Sequence, residues 1–369
     1  MIEFDKKLGF GCMRLPMKNG EVDDREMCAM VDAFLEAGFN YFDTAHGYLG
    51  GKSETALRRC LTSRYPRERY ILTNKLSGHF ISKREDIRPL FEQQLEACGV
   101  SYFDYYLMHA QDKNSYQRYK SLGAYEVSLE LLAEGKIRHF GISFHDQAHV
   151  LENILQEYPQ IEVVQIQLNY VDFEDPSVQS RKCLEVCRKY GKSAIVMEPV
   201  KGGSLVNLPD RAKAVLEGLE GGSIASYAIR FAASQEGVAM VLSGMGDMAM
   251  MRDNISYMAD FRPLDEKEQA AIEEVCEIFR DLGTVPCTAC RYCTEVCPQG
   301  IAIPELFACL NAKKLFNNWN TGYYYDNIHT KNGGKASQCI RCGKCEKICP
   351  QHLPIRDLLV TVAEEFESK

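Results

Sequence analysis

Between Cys287 and Cys349 the chain spells one pattern twice: Cys287-x2-Cys290-x2-Cys293-x3-Cys297-Pro298, then Cys339-x2-Cys342-x2-Cys345-x3-Cys349-Pro350. No other feature so sharply restricts what the chain can fold into, because thiols at this spacing must converge on something that binds sulfur. Zinc takes four ligands, commonly from two Cys-x2-Cys pairs, so a third cysteine at the same spacing and a fourth before a proline exceed its needs. The pattern suits iron and sulfur. A tight loop presents three thiolates to three corners of a cubane, and the fourth cysteine, pointing away, ligates the other centre where there are two. Of sixteen cysteines in 369 residues, nine fall in this segment and seven are scattered before it. The scattered Cys12, Cys28, Cys60, Cys98, Cys183, Cys187 and Cys276 sit among apolar neighbours and read as core filling in a reducing compartment. Cys183 and Cys187 stand one helical turn apart, but no histidine or third cysteine is near enough in sequence to complete a metal site.

Over about its last 85 residues the chain therefore resembles a bacterial-type dicluster ferredoxin. By the crossing that such ferredoxins show, one [4Fe–4S] centre takes Cys287, Cys290, Cys293 and Cys349, and the other takes Cys339, Cys342, Cys345 and Cys297. Cys309 is left over and is expected to pack on a helix. Forty-one residues separate Cys297 from Cys339, more than a compact ferredoxin needs. They hold a helix expected from Ile303-Pro304-Glu305-Leu306-Phe307, then Trp319 and Tyr323-Tyr324-Tyr325, an aromatic insert that either packs around the centres or docks a redox partner protein. Two clusters at about −2 each would take the formal net charge from −8 to about −12, favouring basic electron carriers over acidic ones.

The preceding 280 residues repeat a different unit. Eight β-rich segments, Leu8–Cys12, Asn40–Thr44, Tyr70–Lys75, Asp104–His109, His139–Ser143, Glu162–Asn169, Ser193–Glu198 and Val238–Ser243, alternate with helical patterns. This is the rhythm of a (β/α)8 TIM barrel, an α/β fold, followed here by a smaller, largely helical ferredoxin-like domain. Met27, Met30, Val31, Phe34 and Leu35 keep helical spacing, and Gly38 can close that helix in the left-handed conformation. The expected domains are 1–281 and 282–369. With 46% hydrophobic and 25% charged residues the chain can build a core, and no basic run suits nucleic acid. Neither a bilayer-length apolar stretch nor a signal peptide is evident, which leads to the expectation of a cytoplasmic protein away from membranes.

Parallel strands of such a barrel end on one face, where barrel enzymes put their chemistry. Asp43 and Tyr48 follow the second strand, Lys75 ends the third and His109 ends the fourth: a phenol flanked by an ammonium, a carboxylate and an imidazole. At these residues the chain resembles the aldo/keto reductases, through Phe42-Asp43-Thr44-Ala45-His46-Gly47-Tyr48, Leu72-Thr73-Asn74-Lys75 and Tyr106-Leu107-Met108-His109. The resemblance extends to Leu8–Pro16, Gly51-x-Ser53-Glu54 and Gly141-Ile142-Ser143. It implies hydride exchange between NAD or NADP and an aldehyde, ketone or alcohol, with Tyr48 as proton donor. On that chemistry Lys75 eases the ionisation of the phenol, Asp43 fixes Lys75, and His109 holds the carbonyl oxygen. The resemblance further implies that Ser143 and Gln165 meet the nicotinamide carboxamide, that Lys201 and Gly203 lie by the pyrophosphate, and that Asn254 lies by the adenine. Phe144 and Met197 depart from the residues common there. No Lys or Arg stands in Val241–Asp247 for a 2′-phosphate, with only Arg252 nearby, so NAD and NADP both stay open. A Rossmann fold is excluded, since no Gly-x-Gly-x-x-Gly follows a strand.

The segment 263–281 reads as a capped helix, Asp265 to Glu268 forming the cap, which would return the chain to the catalytic rim. The ferredoxin part would then stand where the family has its C-terminal substrate loop. Clusters pass single electrons and nicotinamide passes hydride, so direct exchange needs a converter such as flavin, which carries no motif here but stays open, or a radical substrate. Three readings remain: a reductase exchanging electrons through its clusters, a reductase with structural or oxygen-sensing clusters, and a non-catalytic redox sensor.

Overall fold

The computed structural model describes residues 2–368 except 3, 176, 177, 220, 286, 288, 289, 318, 319 and 332. Eight strands close a barrel: β1 (Leu8–Gly11), β2 (Tyr41–Asp43), β3 (Ile71–Leu76), β4 (Phe103–Gln111), β5 (Ile137–Phe144), β6 (Val163–Gln167), β7 (Ser193–Met197) and β8 (Val238–Ser243). Each pairs in parallel with its neighbours in chain order, and β8 returns to β1 through Leu8↔Val241. Tyr41, Tyr105, Leu107, Val163, Ile195, Met240 and Leu242 form one buried cluster contributed by successive strands. Strand β5 approaches β6 so closely at Gly141 that a Cβ there would lie 2.5 Å from Val163 Cγ2, so the backbone spacing depends on glycine.

The first helix, Asp24–Glu36, buries the five residues expected of it, and Gly38 follows at φ +84°. Two short strands, Met17–Lys18 and Glu21–Val22, pair after β1 around Asn19-Gly20, both at positive φ. The helix Glu266–Asp281 opens with a reciprocal cap between Asp265 and Glu268, and Arg230 pairs with Glu268 at 2.6 Å out of solvent.

The C-terminal region packs its own core around Ile303, Leu306, Phe307, Leu310, Tyr325 and Leu359. Helix Ile303–Phe316 buries Cys309, as expected for the leftover thiol. Tyr325 is packing rather than display: it is fully buried, stacks on Phe366 with ring centroids 4.7 Å apart and donates to Glu367. Tyr324 is exposed, whereas Trp319 and the side chain of Tyr323 lie outside the described residues.

This region rests on the catalytic rim. Phe316 packs on Phe279 at 5.4 Å and under the Lys201 ammonium at 5.7 Å, while Glu305 feels the charge of Asp146. Asp146 follows β5 and Lys201 follows β7, so the helix Ile303–Phe316 lies against loops at the strands' C-terminal ends. Among the described residues no helix is long and apolar enough to cross a membrane.

Candidate functional site

Strand alternation carries Asp43, Lys75 and His109 to one mouth. Lys75 is completely buried, and its Nζ donates to Asp43 Oδ1 at 2.6 Å, to the Thr44 carbonyl at 2.9 Å and to Tyr48 Oη at 3.3 Å. An ammonium has three hydrogens, and all three are taken. Because Tyr48 accepts from Lys75, its own O–H is left to point at whatever enters the cleft. His109 closes the group, its ring 6.0 Å from that of Tyr48 and its Nδ1 2.6 Å from Ser77 Oγ. In the tautomer in which Ser77 donates to Nδ1, the proton is on Nε2, where it can be offered to a substrate oxygen.

The charges are set by burial. Burial works against the Lys75 charge, but Asp43 and Tyr48 outweigh it and hold the ammonium protonated. Burial also pushes the Asp43 carboxyl up, opposed by Lys75 and by Gln165, so ammonium facing carboxylate is the state whose geometry all the Lys75 hydrogens satisfy. Burial raises the Tyr48 phenol above its ordinary range, and Lys75 pulls it back only in part. Lys75 thus eases ionisation as expected in sign, yet burial wins and the phenol keeps its proton at neutral pH. Burial and the charges of Lys75, His145 and His79 hold His109 well below the usual imidazole range, hence neutral.

A support shell holds the Tyr48 loop. Ser53 Oγ donates to the Cys12 carbonyl at 2.8 Å and meets Thr44 Oγ1 at 2.8 Å. Glu54, buried, accepts from Asn74 Nδ2 at 2.8 Å and meets His46 at 2.9 Å. Leu49, Gly50 and Gly51 then follow Tyr48 at positive φ. Ser77 and Glu54 were not assigned roles from sequence. The readable signal for Glu54 was its place in Gly51-x-Ser53-Glu54, and for Ser77 its place two residues beyond Lys75.

The residues expected at a dinucleotide are spread along the same rim. Ser143 lies one residue before the end of β5 and Gln165 lies on β6, both buried. Among the described residues Gln165 Oε1 and Asn254 Oδ1 are buried with no hydrogen-bond partner, two acceptors able to receive N–H donors. Asn254 Nδ2 is spent on the Met250 carbonyl at 3.0 Å. The loop after β7 has a left-handed run, with Glu198 at φ 58°, Lys201 at 48°, Gly202 at 67° and Gly203 at 99°. Lys201, expected by a pyrophosphate, pairs its ammonium at 2.6 Å with Asp172, which is buried and held low by that charge against the cost of burial. Sequence reading missed Asp172, whose carboxylate is anchored by Gln167 and Asn169 at 2.7 Å each.

The eight motif cysteines divide between two clefts open to solvent. One is lined by Cys297, Cys339, Cys342 and Cys345, and the other by Cys287, Cys290, Cys293 and Cys349. Each set therefore takes three thiols from one motif and the fourth from the other. Among the described residues no three His, Cys, Asp or Glu close on a point that a single ion would fill. Four thiols lining one cavity, three from one motif and one from the other, fit a multinuclear iron–sulfur group.

The Aldo/keto reductase family profile matches residues 7–277, and that of the 4Fe-4S dicluster domain matches 286–354. An NADH-specific methylglyoxal reductase of Escherichia coli is 26% identical over 304 residues, spanning 68% of this chain and 89% of that protein. The L-galactose dehydrogenase of Arabidopsis thaliana is 23% identical over 74% of this chain and 92% of its own. Among solved structures, an aldo-keto reductase of Klebsiella pneumoniae in complex with NADPH superposes with TM-score 0.60 at 18% identity, covering 73% of this chain and 90% of its own. The glycerol dehydrogenase of Gluconobacter oxydans gives 0.58 at 19%, with the same coverages. With a closed eight-stranded barrel, a matching profile over most of its length and a second one at the C-terminal end, this chain belongs to the aldo/keto reductase family of oxidoreductases and carries a 4Fe-4S dicluster domain.

Proposed function

We propose that the barrel, residues 1–281, interconverts an aldehyde or ketone with its alcohol using NAD or NADP, and that residues 282–369 hold two [4Fe–4S] clusters exchanging electrons with a partner protein in the cytoplasm. When bound, the nicotinamide supplies or takes a hydride, and the clusters supply single electrons. Tyr48 delivers the proton to the carbonyl oxygen, since it receives from Lys75 and so keeps its own hydrogen for the substrate. His109 Nε2–H fixes that oxygen beside it, and Asp43 keeps Lys75 charged and in place. Gln165 and Ser143 would hold the carboxamide, Gly203 would let the pyrophosphate approach, and Asn254 would meet the adenine. The observation that carries the reading is the complete use of the Lys75 ammonium by Asp43, Thr44 and Tyr48.

Crossed ligation is supported by the membership of the two cavities. Electron exchange with the barrel side is supported by helix Ile303–Phe316, which runs from Pro304 and Phe307 on the Cys287 cavity to Phe316 under Lys201. Anaerobically isolated protein should hold about eight irons, and Cys297→Ser should perturb the spin-resonance signal of the centre that Cys339, Cys342 and Cys345 ligate, leaving the other intact. Perturbation of the other centre alone would contradict the crossing. A holoprotein that accepts no electrons from dithionite and passes none to a carrier would remove electron exchange while leaving the reductase reading standing.

A further inference from the structure

Loops after the last two strands of a barrel frequently form a phosphate site. Here the loop after β7 is wound on itself, with Glu198, Lys201, Gly202 and Gly203 left-handed and the N–H groups of Lys201, Gly203, Ser204 and Leu205 donating to carbonyls of the same loop. Its neighbour, after β8, is Gly244-Met245-Gly246 and carries no cation. The cation that sequence alone would put there, Lys201, is neutralised by Asp172 and covered by Phe316. A doubly charged pyrophosphate would therefore meet no unpaired side-chain cation in either loop.

Arg14 fills that gap from a third direction. It follows β1, is exposed, and among the described residues makes no hydrogen bond or ion pair with its side chain. Its stem lies against Gly244, where a Cβ would come 3.5 Å from Arg14 Cβ, and its backbone carbonyl lies 3.8 Å from the corresponding point of Gly246. Its guanidinium reaches the loop after β7, with Nη2 3.4 Å from the point a Gly202 Cβ would occupy. Glu198 Oε2 lies 3.5 Å from the same point, without pairing with the guanidinium. Arg14 thus spans both loops, and Gly202 and Gly244 leave it room. A guanidinium presents a planar fork that matches phosphate oxygens in pairs.

We infer that Arg14 is the phosphate-binding cation of this protein, clamping the pyrophosphate of the nicotinamide dinucleotide against the loops after β7 and β8. The inference rests on the dinucleotide reading above and says which side chain meets the diphosphate charge. The test is fluorescence titration of the holoprotein with NADH and NADPH, and competition by ADP-ribose, which keeps the pyrophosphate and lacks nicotinamide. Arg14→Ala should weaken all three roughly tenfold to hundredfold, the loss expected of a charged hydrogen-bond pair, and should flatten the salt dependence of binding. Arg14→Lys should restore part of it, because the charge returns without the fork. Unchanged affinities in Arg14→Ala overturn the inference. So does a variant whose dinucleotide affinity holds while its KM rises only for carbonyl substrates bearing a carboxylate, which would make Arg14 a substrate residue. A wild-type protein that binds none of the three ligands removes the dinucleotide reading itself.

Discussion

A single ammonium organises the site at the scale of residues. Lys75 could be buried only because three acceptors meet its three hydrogens, and each of them was visible in the sequence as part of Asp43-Thr44 or as Tyr48. What could not be read was the environment. The sequence suggested that Lys75 would ease the ionisation of Tyr48, but how far burial opposes it depends on the walls of the cleft. The neutral state of His109 is likewise a tertiary effect of burial with Lys75, His145 and His79 around it. It has a consequence for stability. The folded pKa lies below the unfolded value of 6.5, so as pH falls through that value the unfolded chain takes up a proton that the folded one refuses. Stability conferred by keeping His109 neutral is present above pH 6.5 and is lost below it. His329, lowered to about 4, acts in the same direction, so His109→Gln should reduce rather than abolish the slope of unfolding free energy on pH below 6.5. Denaturant midpoints across that range check it, and an unchanged slope would mean that His109 is protonated in the fold.

Strands, turns and caps were legible to differing depth at the scale of elements. All eight barrel strands fall where β-rich segments recur, because a parallel strand buried on both faces must be apolar and short. Their ends moved for local reasons. β6 stops at Gln167 rather than Asn169 because Asn169 Oδ1 accepts from the backbone N–H of Val171 and Asp172 and turns the chain. β4 runs on to Gln111, since the ladder with β5 resumes at Gln111↔Phe144 after an irregularity. The hairpin on Asn19-Gly20 carried a readable turn signal that the barrel rhythm overshadowed. The capped helix Glu266–Asp281 was read correctly, but the partner of its cap was not: Glu268 also meets Arg230, far away in sequence. Glu268→Ala removes the cap and strands a buried guanidinium, so it should cost about 3–5 kcal/mol in denaturant unfolding. A loss under about 1 kcal/mol, the worth of a cap alone, would mean that water reaches Arg230.

Considered as a whole molecule, the chain is a reductase barrel with an iron–sulfur region seated on its working face. The doubled cysteine pattern was enough to read that region's chemistry, and the crossed grouping of thiols around two cavities agrees with it. Its seat could not be read, because it depends on contacts such as Phe316 with Lys201 that join separate parts of the fold. Lys201 is where the two parts meet, and its ion pair with Asp172 could not be read from the sequence. The central claim is that proton delivery belongs to Tyr48. Single-turnover oxidation of bound NADH or NADPH by an aldehyde, compared between the holoprotein and Tyr48→Phe, tests it most directly. The account predicts a rate lower by about 10²–10⁴-fold, the share of a general acid, with dinucleotide affinity and iron content unchanged. A variant that turns over at near the parent rate would contradict it.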